Sequence, residues 1–235
     1  MPLPTETREA VLTYCDAHLP DDDTAAKMFD FLNEPELQKR LKDELYAARY
    51  IYKLGEALSA SDGRLHAHVK FQIVQYAAIY EAIIVHLLWT LYRNHPDVTN
   101  IEFHSTYKRT GGLSRSLNLT VSDTGEEVVF CVEARQKTSR VSIKFDDKVD
   151  AAVKVGFLDG EIGEEIKGFY KLRNAIHIES AIKNDITYEI DSSSLAYRRL
   201  QPFLAGARAF VAEGILPEEA RIKKSTALSG ARAAD

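Results

Sequence analysis

The sequence predicts a mostly α protein, a helical bundle that carries a small antiparallel β-meander as an insertion. Three observations lead there. Apolar residues recur at three- and four-residue steps through the first hundred positions, alternation replaces that step between about residues 113 and 145, and the helical step then returns to about residue 214. A composition of 45% hydrophobic and 28% charged residues supplies a core and excludes disorder over the whole length.

Thr5 to Leu19 forms a short amphipathic helix candidate, closed by Pro20. Asp21-Asp22-Asp23 follows, and three carboxylates suit the electropositive start of a second short helix through Leu32. Asn33 is the expected cap of a longer helix with Pro35 in its first turn, whose stripe is Leu37, Leu41, Leu45, Ala48, Ile51 and Leu58, as far as Ser59. Ser61-Asp62-Gly63 is the next break. From Leu65 to about Asn94 the pattern is apolar on nearly every side, as a helix at the centre of a bundle requires, and Pro96 ends it.

Gly111-Gly112 then opens the meander. Leu117, Leu119 and Val121 alternate, Ser122-Asp123-Thr124-Gly125 turns the chain, Val128, Phe130 and Val132 alternate again, and Val141, Ile143 and Phe145 supply a third strand. Helices return at Asp147 to Phe157 and, capped by Asp159, from Glu161 to about Ser180. Ile186-Thr-Tyr-Glu-Ile190 reads as a short strand, and a last helix runs from Ser192 to roughly Gly214 with a bend at Pro202. The chain thus divides into an N-terminal helical segment (1–60), a helical domain (61–216) with its β insertion at about 113–145, and a flexible tail (217–235) rich in Ala, Ser, Lys and Arg.

Composition narrows the function classes. Thirty Lys and Arg against 35 Asp and Glu give a formal charge of −5, so any contact with nucleic acid has to be local. Cys15 and Cys131 are too few for a disulfide framework or a thiolate zinc site and suit a reducing cytoplasm. The start has no basic segment followed by an apolar one, and the most apolar stretch, Ala77 to Tyr92, holds Glu81 and His86 and is shorter than a bilayer span of roughly 20 residues. A cytoplasmic protein without a membrane segment is expected.

No P-loop, dinucleotide-binding glycine run or His-Glu-x-x-His is present, so neither a cofactor nor a metal is expected. His66 and His68, two apart on a helix, point away from one another and read as solvated histidines, while His86 on its apolar helix reads as a core or boundary residue. Between His104 and Phe145 seven cations (Lys108, Arg109, Arg115, Arg135, Lys137, Arg140, Lys144) face four carboxylates. With Tyr107 nearby this is a solvated sheet face or, alternatively, a nucleic-acid contact.

Two charges stand in apolar stripes. At about 100° per residue, Ile162, Ile166, Phe169 and Ile176 share one side of the helix from Glu161, and Arg173 falls near its middle. Four residues later His177 lies about 40° further round, one turn above Arg173 on the same side of that helix. The same construction places Glu81 among Val74, Ala77, Ile84, Val85 and Leu88. An isolated buried charge costs several kcal/mol, so the two opposite charges are expected to meet, and removing one partner is expected to destabilise by roughly 3–5 kcal/mol. Such a pair either fixes how two helices dock or, with His177, forms a base beside a fixed cation, as phosphodiester transfer needs.

The run Phe169-Tyr-Lys-Leu-Arg173-Asn174-Ala-Ile-His177, with Lys148-Val-Asp-Ala-Ala-Val-Lys-Val-Gly-Phe-Leu158 before it and Ile79-Tyr80-Glu81-Ala82 upstream, resembles the HEPN superfamily of helical domains over roughly Leu65 to Gly214. The resemblance implies a HEPN-like bundle of the toxin or antiphage-defence type. It also implies a metal-independent endoribonuclease whose composite site forms across a homodimer, with RNA as substrate and a partner protein such as an antitoxin or another defence component. Its implied residues are His177 as general base, Arg173 as phosphate clamp and Asn174 as positioning group, with Glu81 orienting Arg173. Active members usually space arginine and histidine by four to six residues, whereas three separate Arg173 from His177. The alternative is a non-catalytic HEPN-like interaction or regulatory protein in which Arg173, His177 and Glu81 form a structural polar network. Solvent access to Arg173 and His177 separates the two.

Overall fold

The computed structural model describes residues 3–110 and 119–213. It is mostly helical with a two-stranded antiparallel ribbon. The element that organises it is α4 (Asp62–His86), which runs on into a π-helical turn at Leu87–Leu91. Ile73, Ile79, Tyr80, Ile83, Ile84, Leu87 and Leu88 on this stretch are fully buried, as its all-round apolar pattern requires. The segment Asp62–Leu91 is long and apolar enough to cross a bilayer, but 56% of its most apolar window is buried inside the bundle.

The N-terminal elements are α1 (Thr5–Asp16), α2 (Asp22–Phe29) and α3 (Pro35–Ala57). Asp21 caps α2 by accepting from the Thr24 N–H at 2.8 Å. Helix α3 has Glu34 rather than Asn33 at its cap, because Pro35 occupies the first helical position. It packs along α4, and Phe29, Leu32, Leu41, Leu45 and Ala48 join the same core as the later helices.

Pro96 does not simply end the central helix. It opens a short helix, α5 (Pro96–Ile101), where its missing N–H is no loss. The expected meander is also corrected. Strand β1 (Phe103–Arg109) pairs with β2 (Cys131–Lys137) in the register Phe103↔Lys137 to Arg109↔Cys131, and among the described residues between them a single bridge forms, Thr120↔Glu127. The start of the expected first strand, Leu117, lies outside the described residues. The third strand does not form: Val141 sits in a 3₁₀ turn (Arg140–Ser142), and Ile143 and Phe145 alternate because both bury against the bundle. Strand β1 escapes a pattern search because neither face of the ribbon is buried, so nothing imposes alternation on it.

Phe145 begins α6 (Phe145–Val155), which ends on Gly156 at φ +107. Helix α7 (Gly160–Asn174) follows, capped by Asp159, which accepts from the Glu161 N–H at 2.8 Å. The single helix expected to reach Ser180 is two: α7 stops at Asn174, and α8 (Ile178–Lys183) starts after a turn. Ile186 to Ile190 is not a strand. Ile186 and Tyr188 pack on Val69 and Ile73 as a loop, and Ile190 already begins α9 (Ile190–Ala212), which runs through Pro202. The expected neighbours α4 and α7 do pack, with Tyr80 stacked on Phe169 at 5.9 Å. Tyr80 also donates to the Ala196 carbonyl at 2.7 Å, joining α9 to the same centre. The end of the expected last helix at Gly214 and the tail from 217 lie outside the described residues.

Candidate functional site

Glu81 and Arg173 meet as their stripes require. On the α4 side Tyr80 turns into the core, and Glu81 is left where α4, α6 and α7 come together. Its Oε2 lies 3.5 Å from Arg173 Nη2, with the two side chains 26% and 35% exposed. The pair is therefore half-buried, not sealed. The helical period fixes the direction in which Arg173 points but not its depth, because Arg173 sits in the last turn of α7, where the helix is leaving the core.

Two residues complete the cluster that the pattern search did not choose. Tyr170, one turn before Arg173, donates its hydroxyl to Glu81 Oε1 at 3.3 Å, and the Arg173 guanidinium carbon lies 5.0 Å from the Tyr170 ring centroid. The Tyr170 ring stacks on Phe145 at 4.0 Å, so the start of α6 fixes the phenol. Burial, then the Glu81 charge, pushes its pKa above the ordinary tyrosine value. The i, i+3 spacing from Arg173 is the signal that would have found it. Lys148 is the second. It is only 6% exposed on α6, its Nζ lies 5.9 Å from the Trp89 ring centroid, and burial holds its ammonium below the ordinary lysine value against the opposing pull of Glu81. Its place between Phe145, Val149 and Ala152 marks it as inward-facing.

Asn174 is exposed and accepts from Arg173 Nη1 at 3.3 Å. His177 does not share the helical face of Arg173. It occupies the cap position of α8 with extended backbone angles, φ −78 and ψ 130, and its side chain is exposed. Among the described residues no hydrogen bond or ion pair links it to Arg173, Asn174 or Glu81. The break has identifiable anchors. Tyr188 Oη donates to the Leu172 carbonyl at 2.9 Å, and Lys70 Nζ of α4 donates to the Ile176 carbonyl at 2.8 Å, satisfying acceptors that a continuing helix would have used. Beside His177, Ile178 and Ile182 are each 76% exposed and Ile176 is 38% exposed.

A cleft of about 690 Å³ runs along this end of α7. Its walls are the Val141–Asp146 segment, one face of α7 and residues Ser180 and Asn184 of the α8 region. Tyr170 and Asn174 line it together with Lys144, Lys167 and Lys171, whereas Arg173 and His177 do not. Lys167 is already held by Asp150 at 2.6 Å and Glu164 at 2.7 Å. Among the described residues no three His, Cys, Asp or Glu side chains converge as a metal site would need. The arrangement offers a fixed guanidinium, an amide and an exposed imidazole next to a lysine-bearing cleft. Compared with protein-family models, curated proteins and solved structures, the chain finds no match.

Proposed function

We propose that this chain is a HEPN-type, metal-independent endoribonuclease of the toxin or antiphage-defence kind. One observation carries the reading: Arg173, Asn174 and His177 all reach solvent at the end of α7, while Glu81 holds the arginine from behind. A polar network made only to dock helices has no need of that exposure.

In this reading His177 takes the proton from a ribose 2′-hydroxyl, whose oxygen attacks the adjacent phosphorus. The P–O5′ bond breaks, leaving a 2′,3′-cyclic phosphate on one fragment and a 5′-hydroxyl on the other. Arg173 stabilises the charge that builds on the phosphoryl oxygens, and its Glu81 partner keeps the guanidinium in place at no cost at the moment of reaction. Asn174 orients the phosphate. The exposed Ile176, Ile178 and Ile182 suit burial against a second copy, which brings a second His177 towards the same phosphate to protonate the leaving oxygen.

The test is cleavage of mixed RNA by the purified chain in a chelator, with end-group analysis. Cutting should persist, the products should carry cyclic phosphate, and His177→Ala should abolish cutting without lowering the melting temperature. An H177A protein that cuts as well as wild type removes the assignment. The second reading, a non-catalytic HEPN-like interaction protein, is favoured by the same isoleucines and by the separation of His177 from Arg173. A wild type inert on every RNA offered selects it.

A further inference from the structure

The ribbon β1–β2 stands away from the bundle. Tyr107 is 72% exposed and Val132 55%, and residues on both faces of the ribbon are open to solvent. A two-stranded ribbon with no buried apolar face is marginal by itself. What fastens it is one buried side chain at its root. Glu102, 6% exposed, accepts from the Trp89 indole N–H at 2.7 Å, and it pairs with Lys137 at 3.1 Å and Arg140 at 3.8 Å. Thr138 N–H also donates to the Glu102 carbonyl at 2.8 Å. The ribbon is thus built to project.

The register sorts its side chains. Directly paired residues share a face, so Phe103, Ser105, Tyr107 and Arg109 stand with Lys137, Arg135, Glu133 and Cys131. That face holds three cations, two aromatic rings and one carboxylate on a chain whose formal charge is −5. Arg109 is engaged by Glu127 at 2.6 Å. Among the described residues Arg135 has a neutral hydrogen-bond partner, the Asn100 amide oxygen at 3.3 Å, and no ion pair, and its guanidinium lies over the Phe103 ring at 4.5 Å. Arg135 therefore presents the outer face of a planar cation, and Tyr107 a free phenol ring, along a strand where alternate residues are about 7 Å apart. A concavity of about 360 Å³ lies beside Arg135, lined by Phe103, His104, Ser105, Glu133 and Arg135.

We infer that this face of the ribbon is a docking platform for single-stranded RNA, with Tyr107 and the Arg135 plane stacking on unpaired bases and the Arg135 guanidinium edge facing a phosphate. With Arg109 held by Glu127 and Lys137 by Glu102, the open guanidinium of Arg135 calls for an anionic ligand, and the exposed Tyr107 ring calls for one whose base faces are free, which a duplex lacks. The choice of RNA rests on the ribonuclease reading, whose substrate it makes single-stranded. None of the residues Glu81, Arg173, Asn174 or His177 belongs to the ribbon.

The test is fluorescence anisotropy of the full chain with a labelled 2′-O-methyl oligouridine, which has no attacking hydroxyl and so is bound without being cut. Tyr107→Ala should weaken binding about ten-fold or more, and Tyr107→Trp should restore it. Arg135→Gln should weaken binding and make the slope of log affinity against log salt shallower by about 0.7. Melting temperatures of the Tyr107 variants should match wild type, since the side chain is exposed. Equal binding by Y107A and wild type, tighter binding of an RNA duplex, or no binding by wild type each overturns the platform. A wild type that binds the strand through Tyr107 but never cuts RNA keeps the platform and removes the ribonuclease reading. A wild type that cuts, with Y107A binding and cutting equally well, does the reverse.

Discussion

Glu81 and Arg173 offer the sharpest energetic test. At 3.5 Å the bare attraction of two unit charges is about 5 kcal/mol in a surrounding of effective dielectric 20, and about 1 kcal/mol in water. With the side chains 26% and 35% exposed, solvent screening brings the pair towards the lower value. We expect a coupling of about 1–2 kcal/mol from the double-mutant cycle of Glu81→Ala and Arg173→Ala, measured by urea unfolding. The expected 3–5 kcal/mol of a sealed pair does not apply to this geometry. Glu81→Ala should cost more than Arg173→Ala, because it also strips the acceptor of Tyr170 and a negative charge that favours the buried Lys148 ammonium. Glu81→Gln keeps an acceptor for the phenol and isolates the charge. A coupling below about 0.3 kcal/mol would mean that the two groups are solvated independently, and one above about 3 kcal/mol that the site is closed to water. Either refutes the half-buried site on which the ribonuclease reading stands.

Lys148 gives a pH test. Its folded pKa is below the ordinary lysine value, so between the two the unfolded chain holds the extra proton and stability rises as pH is raised through that window; Lys148→Met should remove the rise in alkaline melting curves and be neutral or stabilising at pH 7. Glu102 works in the opposite range. Burial pushes its carboxyl up, but Trp89, Lys137 and Arg140 together hold it below the ordinary value, so its contribution is present above about pH 4.5 and lost as pH falls through the folded pKa. Glu102→Gln should therefore flatten acid unfolding and raise amide exchange in β1 and β2 selectively. Gly156→Ala should cost about 1–2 kcal/mol in urea unfolding, because the residue has φ +107 and an added methyl would stand 3.2 Å from the Phe210 ring.

What could be read from the sequence followed burial. Helix α4 announces itself because each of its faces meets another helix, and Glu81 and Arg173 are conspicuous because charges interrupt otherwise apolar stripes. Asp21 and Asp159 declare helix starts through chemistry local to two or three residues. Where burial imposes no pattern the signal disappears. The residues His104, Ser105, Thr106 and Lys108 carry no alternation, since both sides of that strand face water, and a ribbon there is set by its partner and by the Glu102 root. Ile143 and Phe145 mislead in the other direction. Their alternation records burial against helices, and a two-residue period cannot tell a sheet from a turn that dips twice into a core.

The end of α7 shows why the site was only half legible. Arg173 is positioned by local periodicity and by an opposite charge on α4, both visible in the chain. The position of His177 depends instead on Lys70, 106 residues before Ile176, and on Tyr188, which donate to the Ile176 and Leu172 carbonyls and so permit the helix to stop. Once the chain turns between them, counting residues from arginine to histidine no longer measures an angle. A spacing of three within one helix would fix the imidazole about 40° round from the guanidinium, whereas across this turn its direction is set by the backbone at 175–177. The two groups are thus held by independent devices, an ion pair for one and a tethered turn for the other. Loosening the tether should therefore move His177 without disturbing the Glu81–Arg173 pair.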